Sequence, residues 1–145
     1  MGSQQKTTSF EMKIPNIRRD QAGNYTCTIT NTGTSTSKSK QFQLGVDYGP
    51  DTVTFSSTPP DHINEGDSLR VKCIAECKPG CSYSWTLGNQ QIGTDPVQLI
   101  SSIRREQSGT YMCTVTNNAI RDSKTKIFSL DVYCECLYSI SILTW

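Results

Sequence analysis

The sequence predicts an all-β protein: one complete antiparallel β-sandwich preceded by the C-terminal half of a second. Three observations carry this expectation. Ile17-Arg-Arg-Asp-Gln-Ala-Gly-Asn-Tyr-Thr-Cys27 returns as Ile103-Arg-Arg-Glu-Gln-Ser-Gly-Thr-Tyr-Met-Cys113, and the match runs ungapped to Val46 and Val132, with 16 identities over 30 positions. The offset of 86 residues is too long for a solenoid repeat and suits an array of small β domains. Apolar and polar residues alternate over short runs, as in strands buried on one face, and no stretch carries the period of an amphipathic helix.

Along the second copy, Leu69, Val71 and Cys73 alternate with Arg70, Lys72 and Ile74. Tyr83, Trp85 and Leu87 form a second run of this kind, and Val97 with Leu99 a third, weaker one. Residues 109–116 place Tyr111, Cys113 and Val115 on one face, with Thr110, Met112 and Thr114 outward. Phe128, Leu130 and Val132 close the series. Glu65-Gly66-Asp67, Lys78-Pro79-Gly80, Leu87-Gly88-Asn89 and Asp95-Pro96 punctuate the runs.

The first copy holds only the back half of this set. Phe10, Met12 and Ile14 are expected to form a third strand, residues 23–30 a cysteine-bearing strand, and Phe42, Leu44 and Val46 the last. The boundaries expected are a partial domain over 1–46, a linker over 47–50, a complete domain over 51–133 and a tail over 134–145. A lone set of strands has nothing to bury its apolar face against, so residues 1–46 are not expected to be stable alone. The linker is short and stiffened by Pro50, which implies a semi-rigid rod of beads.

Composition narrows the function classes. Fourteen basic residues against thirteen acidic ones give no polycationic face for nucleic acid or a membrane surface. Seven cysteines in 145 residues suit an oxidising, extracellular compartment. The first nine residues are polar and lack the apolar core of a signal peptide, so the expectation is a stretch lying partway through a longer secreted or surface protein. The tail is apolar for about ten residues, half of what a spanning helix needs, so direct membrane insertion is not expected. A single histidine, His62, with no acidic partner in a recognisable spacing, offers no catalytic triad. With no phosphate-binding loop or paired-carboxylate signature either, no enzyme activity and no cofactor are expected.

Cys73, then Trp85 twelve residues on, then Gly109-Thr-Tyr111-Met-Cys113 resembles the Cys…Trp…Tyr-x-Cys pattern of the immunoglobulin fold. The resemblance covers about residues 10–133. It implies that Cys73 and Cys113 join the two sheets, that Trp85 packs on the sulfurs, and that the Tyr111 hydroxyl reaches back to the preceding turn. The short interval between Cys73 and Cys113 resembles the C2 or I set rather than a variable domain. The junction Val46-Asp-Tyr-Gly-Pro-Asp51 is similar to those of carcinoembryonic-antigen-like, Siglec-like and hemicentin-like surface proteins. Two departures stand out. Gln21 and Gln107 occupy the place of the usual Asp in Asp-x-Gly-x-Tyr-x-Cys, so its salt bridge is absent or replaced by an amide hydrogen bond. The variable-type domain through which Siglecs bind sialic acid has no match here, so that activity does not transfer.

Cys73, Cys77 and Cys81 are spaced closely enough to read as metal or iron–sulfur ligands. The resemblance assigns Cys73 to Cys113, and Cys77-Lys-Pro-Gly-Cys81 reads instead as a turn whose ends bridge, so no metal site is expected. Cys134 and Cys136 fall just past the last strand and are too close to bridge each other without strain. They imply a bond to another chain or a non-native terminus. Asn24-Tyr25-Thr26 is the one Asn-x-Ser/Thr acceptor, so a glycan on Asn24 is weighed against a plain turn residue. Arg18-Arg19 and Arg104-Arg105 read as solvated corners before tight turns.

The resemblance implies an extracellular adhesion or recognition module. Its partner would be another protein, or a second copy in a homophilic contact, met through a sheet face or the loops around Cys77 and Cys81. A structural spacer domain and a soluble immune-type recognition factor are the alternatives.

Overall fold

The computed structural model describes residues 11–134, which fall into two compact units divided between Tyr48 and Gly49. No α-helix occurs among the described residues, and therefore none long and apolar enough to cross a membrane.

The first unit is an antiparallel ribbon of β1 (Gly23–Asn31) and β2 (Thr36–Leu44), preceded by a 3-10 turn over Arg19–Gln21. Thr26, Thr28, Ile29 and Thr30 make β1 rich in β-branched side chains, which suit an extended backbone. The Asn31 side chain closes the connecting turn by accepting the Gly33 N–H at 2.9 Å and the Thr34 N–H at 3.3 Å. Tyr25 faces Phe42 across the ribbon, their rings stacked with centroids 5.5 Å apart. Cys27 and Ile29 continue that side, and it stays open: Ile29 is 70% exposed, Phe42 52%, and Cys27 is exposed and not disulfide-bonded. The strand expected at Phe10, Met12 and Ile14 is not formed where it can be seen. Residues 11–14 belong to no strand, because no neighbouring strand among the described residues offers them a ladder, and Phe10 lies outside the described residues.

The second unit is a sandwich of two sheets. Its strands are β3 (Thr54–Phe55), β4 (His62–Asn64), β5 (Leu69–Ile74), β6 (Ser82–Leu87), β7 (Gln90–Gly93), β8 (Val97–Ile100), β9 (Gly109–Asn117) and β10 (Asp122–Tyr133). One sheet runs β4-β10-β9-β6-β7 and the other β3-β5-β8. Every pair is antiparallel except β4 with β10. The exception follows from a change of sheet: β3 pairs with β5, and the chain then enters the opposite sheet beside β10. Pro59 and Pro60 lie in that crossing, where lacking an N–H carries no penalty because no ladder needs one.

The alternation on β5 and β9 holds residue by residue. Leu69, Val71 and Cys73 are buried, as are Tyr111, Cys113 and Val115, while Arg70, Lys72 and Ile74 are exposed. With Trp85, Leu130, Val132, Val53 and Ile103 they form one continuous core. Phe55 caps it, stacked 6.0 Å from the Trp85 ring and edge-on to Phe128 at 5.5 Å.

The strand at Val97 and Leu99 needs correction. It exists as β8, but Val97 and Leu99 lie opposite Lys72 and Arg70, on the solvent face, and Leu99 is 62% exposed. Gln98 and Ile100 lie opposite Val71 and Leu69 and turn inward, because directly paired residues share a face. Leu87-Gly88-Asn89, read as punctuation, is the tip of a hairpin leading into β7, a short strand that no apolar run announces. Leu87 pairs with Gln90, and Gly88 takes φ +56°, as a two-residue hairpin loop requires. At Gly49 (φ +76°) a Cβ would collide with the Glu76 carbonyl oxygen.

Candidate functional site

The cysteines decide what chemistry remains possible. Cys73 and Cys113 are bonded across the sandwich, with Cα atoms 6.6 Å apart, and Cys77 is bonded to Cys81. Both bonds consume the thiols that a metal reading would need. Among the described residues no group of three or more His, Cys, Asp or Glu side chains converges on a point. Cys134 is exposed at the end of β10, and Cys136 lies outside the described residues.

Trp85 is fully buried, directly opposite Cys113, and donates its Nε1–H to the Asp95 carbonyl at 3.0 Å. Tyr111 is also fully buried, and its hydroxyl donates to the Gln107 carbonyl at 2.8 Å. Burial pushes its phenol above the ordinary tyrosine value. Gln107 shows how the missing aspartate is replaced: its Oε1 accepts the Arg104 backbone N–H at 2.9 Å. The first unit repeats the corner, with Tyr25 on the Gln21 carbonyl at 2.7 Å and the Arg18 N–H on Gln21 Oε1 at 2.8 Å. The neighbouring arginines are held locally. Arg105 Nε pairs with Glu65 at 3.1 Å, Arg18 Nε lies 3.4 Å from Asp20, and the Arg19 guanidinium sits 3.9 Å over the Tyr48 ring.

Lys78, Pro79 and Gly80 are exposed, and the loop they form is held from beneath by Asn117. That side chain is fully buried, donates to the Lys78 carbonyl at 3.0 Å and accepts the Ala119 N–H at 3.0 Å. Asn117 escaped the sequence reading, although the same residue recurs as Asn31 at the repeat offset. Its signal was a polar residue continuing the buried parity of β9.

The two sheet faces of the second unit differ in character. On the outer side of the three-stranded sheet, Arg70 lies opposite Leu99 and Lys72 opposite Val97. The outer side of the five-stranded sheet is built of rungs. Met112 lies between Ile127 and Thr86, Thr114 between Thr125 and Ser84, Thr116 between Ser123 and Ser82, and Thr110 beside Ser129. None of these rungs carries a charge, but Asp131, opposite His62, brings one to the β4 edge of the same side. Ile127 is 59% exposed at the middle of the face. The first unit repeats the pattern on its own outer side, where Thr28 bonds Ser39 and Thr30 bonds Ser37, each at 2.8 Å. Thr116 bonds Ser123 at 3.0 Å at the corresponding place in the second unit. Asn24 is exposed on that side of the ribbon.

Several known structures share this arrangement. The N-terminal four Ig domains of Dscam1 isoform 6.9 superpose with a TM-score of 0.64 at 24% identity, over 81% of this chain and 29% of that one. An amphioxus IgVJ-C2 molecule matches at 27% identity and a TM-score of 0.62, over 79% of this chain and 62% of that one. A chain from the crystal structure of Dpr2 Ig1-Ig2 in complex with DIP-Theta Ig1-Ig3 is a further match at 25% identity and a TM-score of 0.63, over 81% of this chain and 42% of that one. The chain thus spans well under half the length of the Dscam1 and Dpr2–DIP-Theta chains it matches. Immunoglobulin-domain family models match residues 1–40 and residues 52–132. The second match alone covers more than half of the chain and agrees with the sandwich, the bridging disulfide and the tyrosine corner, so the chain belongs to the immunoglobulin superfamily.

Proposed function

We propose that this chain is a non-enzymatic recognition module of an extracellular or cell-surface protein, meeting a protein partner through the outer face of its five-stranded sheet. One observation carries the reading: that face is lined by hydroxyls along β6, β9 and β10, with Met112 and Ile127 adjacent near its centre and the charge of Asp131 confined to its β4 edge. Such a face loses water without stripping it from charges, which is why interface centres are poor in charged residues. Its centre also meets a second copy of itself without like-charge repulsion, whereas the opposite face presents Arg70 and Lys72. The solved complex of Dpr2 with DIP-Theta supports a protein as the partner class. The finer likeness to carcinoembryonic-antigen-like, Siglec-like or hemicentin-like proteins belongs to the same proposal.

Cells displaying the chain, challenged with multimers of the chain itself and of other immunoglobulin-type ectodomains, test the reading. Ile127→Asp is expected to weaken capture by about tenfold or more, as for a central interface residue. Lys72→Glu, on the opposite face, is expected to leave it unchanged. Capture indifferent to Ile127, or no capture at all, would favour the spacer reading.

A further inference from the structure

The two units share one outer-face pattern and differ at a position that matters chemically. Asn24 is the second residue of β1 and lies opposite Gln43. The corresponding residue 86 positions on is Thr110, opposite Ser129. Asn24-Tyr25-Thr26 satisfies the acceptor pattern for N-linked sugar, whereas Thr110-Tyr111-Met112 does not. Tyr25, between the acceptor's two functional residues, turns to the other side: its ring stacks on Phe42 and its hydroxyl bonds the Gln21 carbonyl. Strand alternation then sends Asn24 and Thr26 outward together. Both are exposed, and no hydrogen bond among the described residues engages the Asn24 amide.

We propose that Asn24 is N-glycosylated and that the sugar covers the outer face of the β1–β2 ribbon, leaving the matching face of the second unit bare. The donor is an oligosaccharide linked to an isoprenoid pyrophosphate. The Asn24 Nδ2 forms a bond to the anomeric carbon, the carbon–oxygen bond to pyrophosphate breaks, the amide gives one proton to a base, and the lipid pyrophosphate leaves. A bulky hydrated sugar on one of two repeated faces makes them unequal. It removes the first unit's face from contact with a partner without changing a residue of the second.

The test uses the whole chain, secreted from a eukaryotic cell behind a cleavable leader. Intact mass is measured before and after an amidase that removes N-glycans. The expected result is the loss of one oligosaccharide with conversion of Asn24 to aspartate. Asn24→Gln and Thr26→Ala are expected to secrete without the sugar, and Thr26→Ser with it. Carbene footprinting then reads the cover. Removing the sugar should raise labelling of the strands holding Thr28 and Gln41 and leave the strand holding Met112 unchanged. An unmodified Asn24 in the secreted chain overturns the site. Labelling that rises on both faces, or on neither, overturns the masking. Neither readout involves a binding partner, so this proposal and the recognition role fail separately.

Discussion

Tyr111 is buried with its ring stacked 5.0 Å from Phe128, yet its hydroxyl still reaches a backbone acceptor at Gln107. Replacing it with Phe keeps the ring but strands the Gln107 carbonyl. Tyr111→Phe is therefore expected to cost about 1–2 kcal/mol in denaturant unfolding. The same residue links stability to alkaline pH. Its pKa is raised in the folded state, so below the ordinary tyrosine value both states are protonated and stability is full. Above about pH 10 the unfolded chain ionises the phenol more readily than the folded chain does, and stability falls. The slope of stability against pH in that range should be shallower in Tyr111→Phe; an unchanged slope would assign the alkaline loss to other groups. At this scale the sequence was partly legible. The tyrosine and its spacing to Cys113 pointed to the corner, and Gln107 announced a departure. Which hydrogen bond replaced the lost ion pair depended on the 3-10 turn over Arg105–Gln107, which aims the amide at the Arg104 N–H.

Strands and their faces were legible where one face is wholly buried. β5 and β9 are sandwiched centrally, so their alternation is strict and their inward residues read directly. β8 is an edge strand, where either parity tolerates apolar residues, and there the inward face was misassigned. β3 and β4 have only two and three paired residues, too short for a period to declare itself. The β1–β2 ribbon sits at the other extreme. Its pattern matches a core-facing pair, yet Ile29 and Phe42 remain exposed because no second sheet lies over them among the described residues. A two-stranded ribbon is marginal in water by itself. A peptide of residues 1–48 is expected to show poorly dispersed amide signals in NMR. Sharp, native-like dispersion would mean that the ribbon is self-sufficient.

Two disulfides of unequal reach hold the sandwich as a whole. Cys73–Cys113 closes a separation of 40 residues and Cys77–Cys81 one of 4. On the chain-entropy model the first contributes about 4 kcal/mol and the second about 2 kcal/mol. Urea unfolding of the double alanine variants should rank them in that order, with the first loss comparable to the net stability of a small domain. Equal losses would mean that native-state strain or unfolded-state structure, and not loop length, sets their value. The sequence by itself determined the class of this protein: the 86-residue repeat, the strand alternation and the Cys…Trp…Tyr-x-Cys spacing are local or periodic, and such signals survive in one dimension. Only the tertiary structure decided which side of β8 turns inward, where the chain crosses between sheets, and what receives the Trp85 N–H and the Asn117 amide. It also joined the Thr and Ser rows of β6, β9 and β10 into one face whose centre carries no charge. Each of these depends on register between strands far apart in the chain, and that is set by the combined fit of both sheets rather than by any single run of residues.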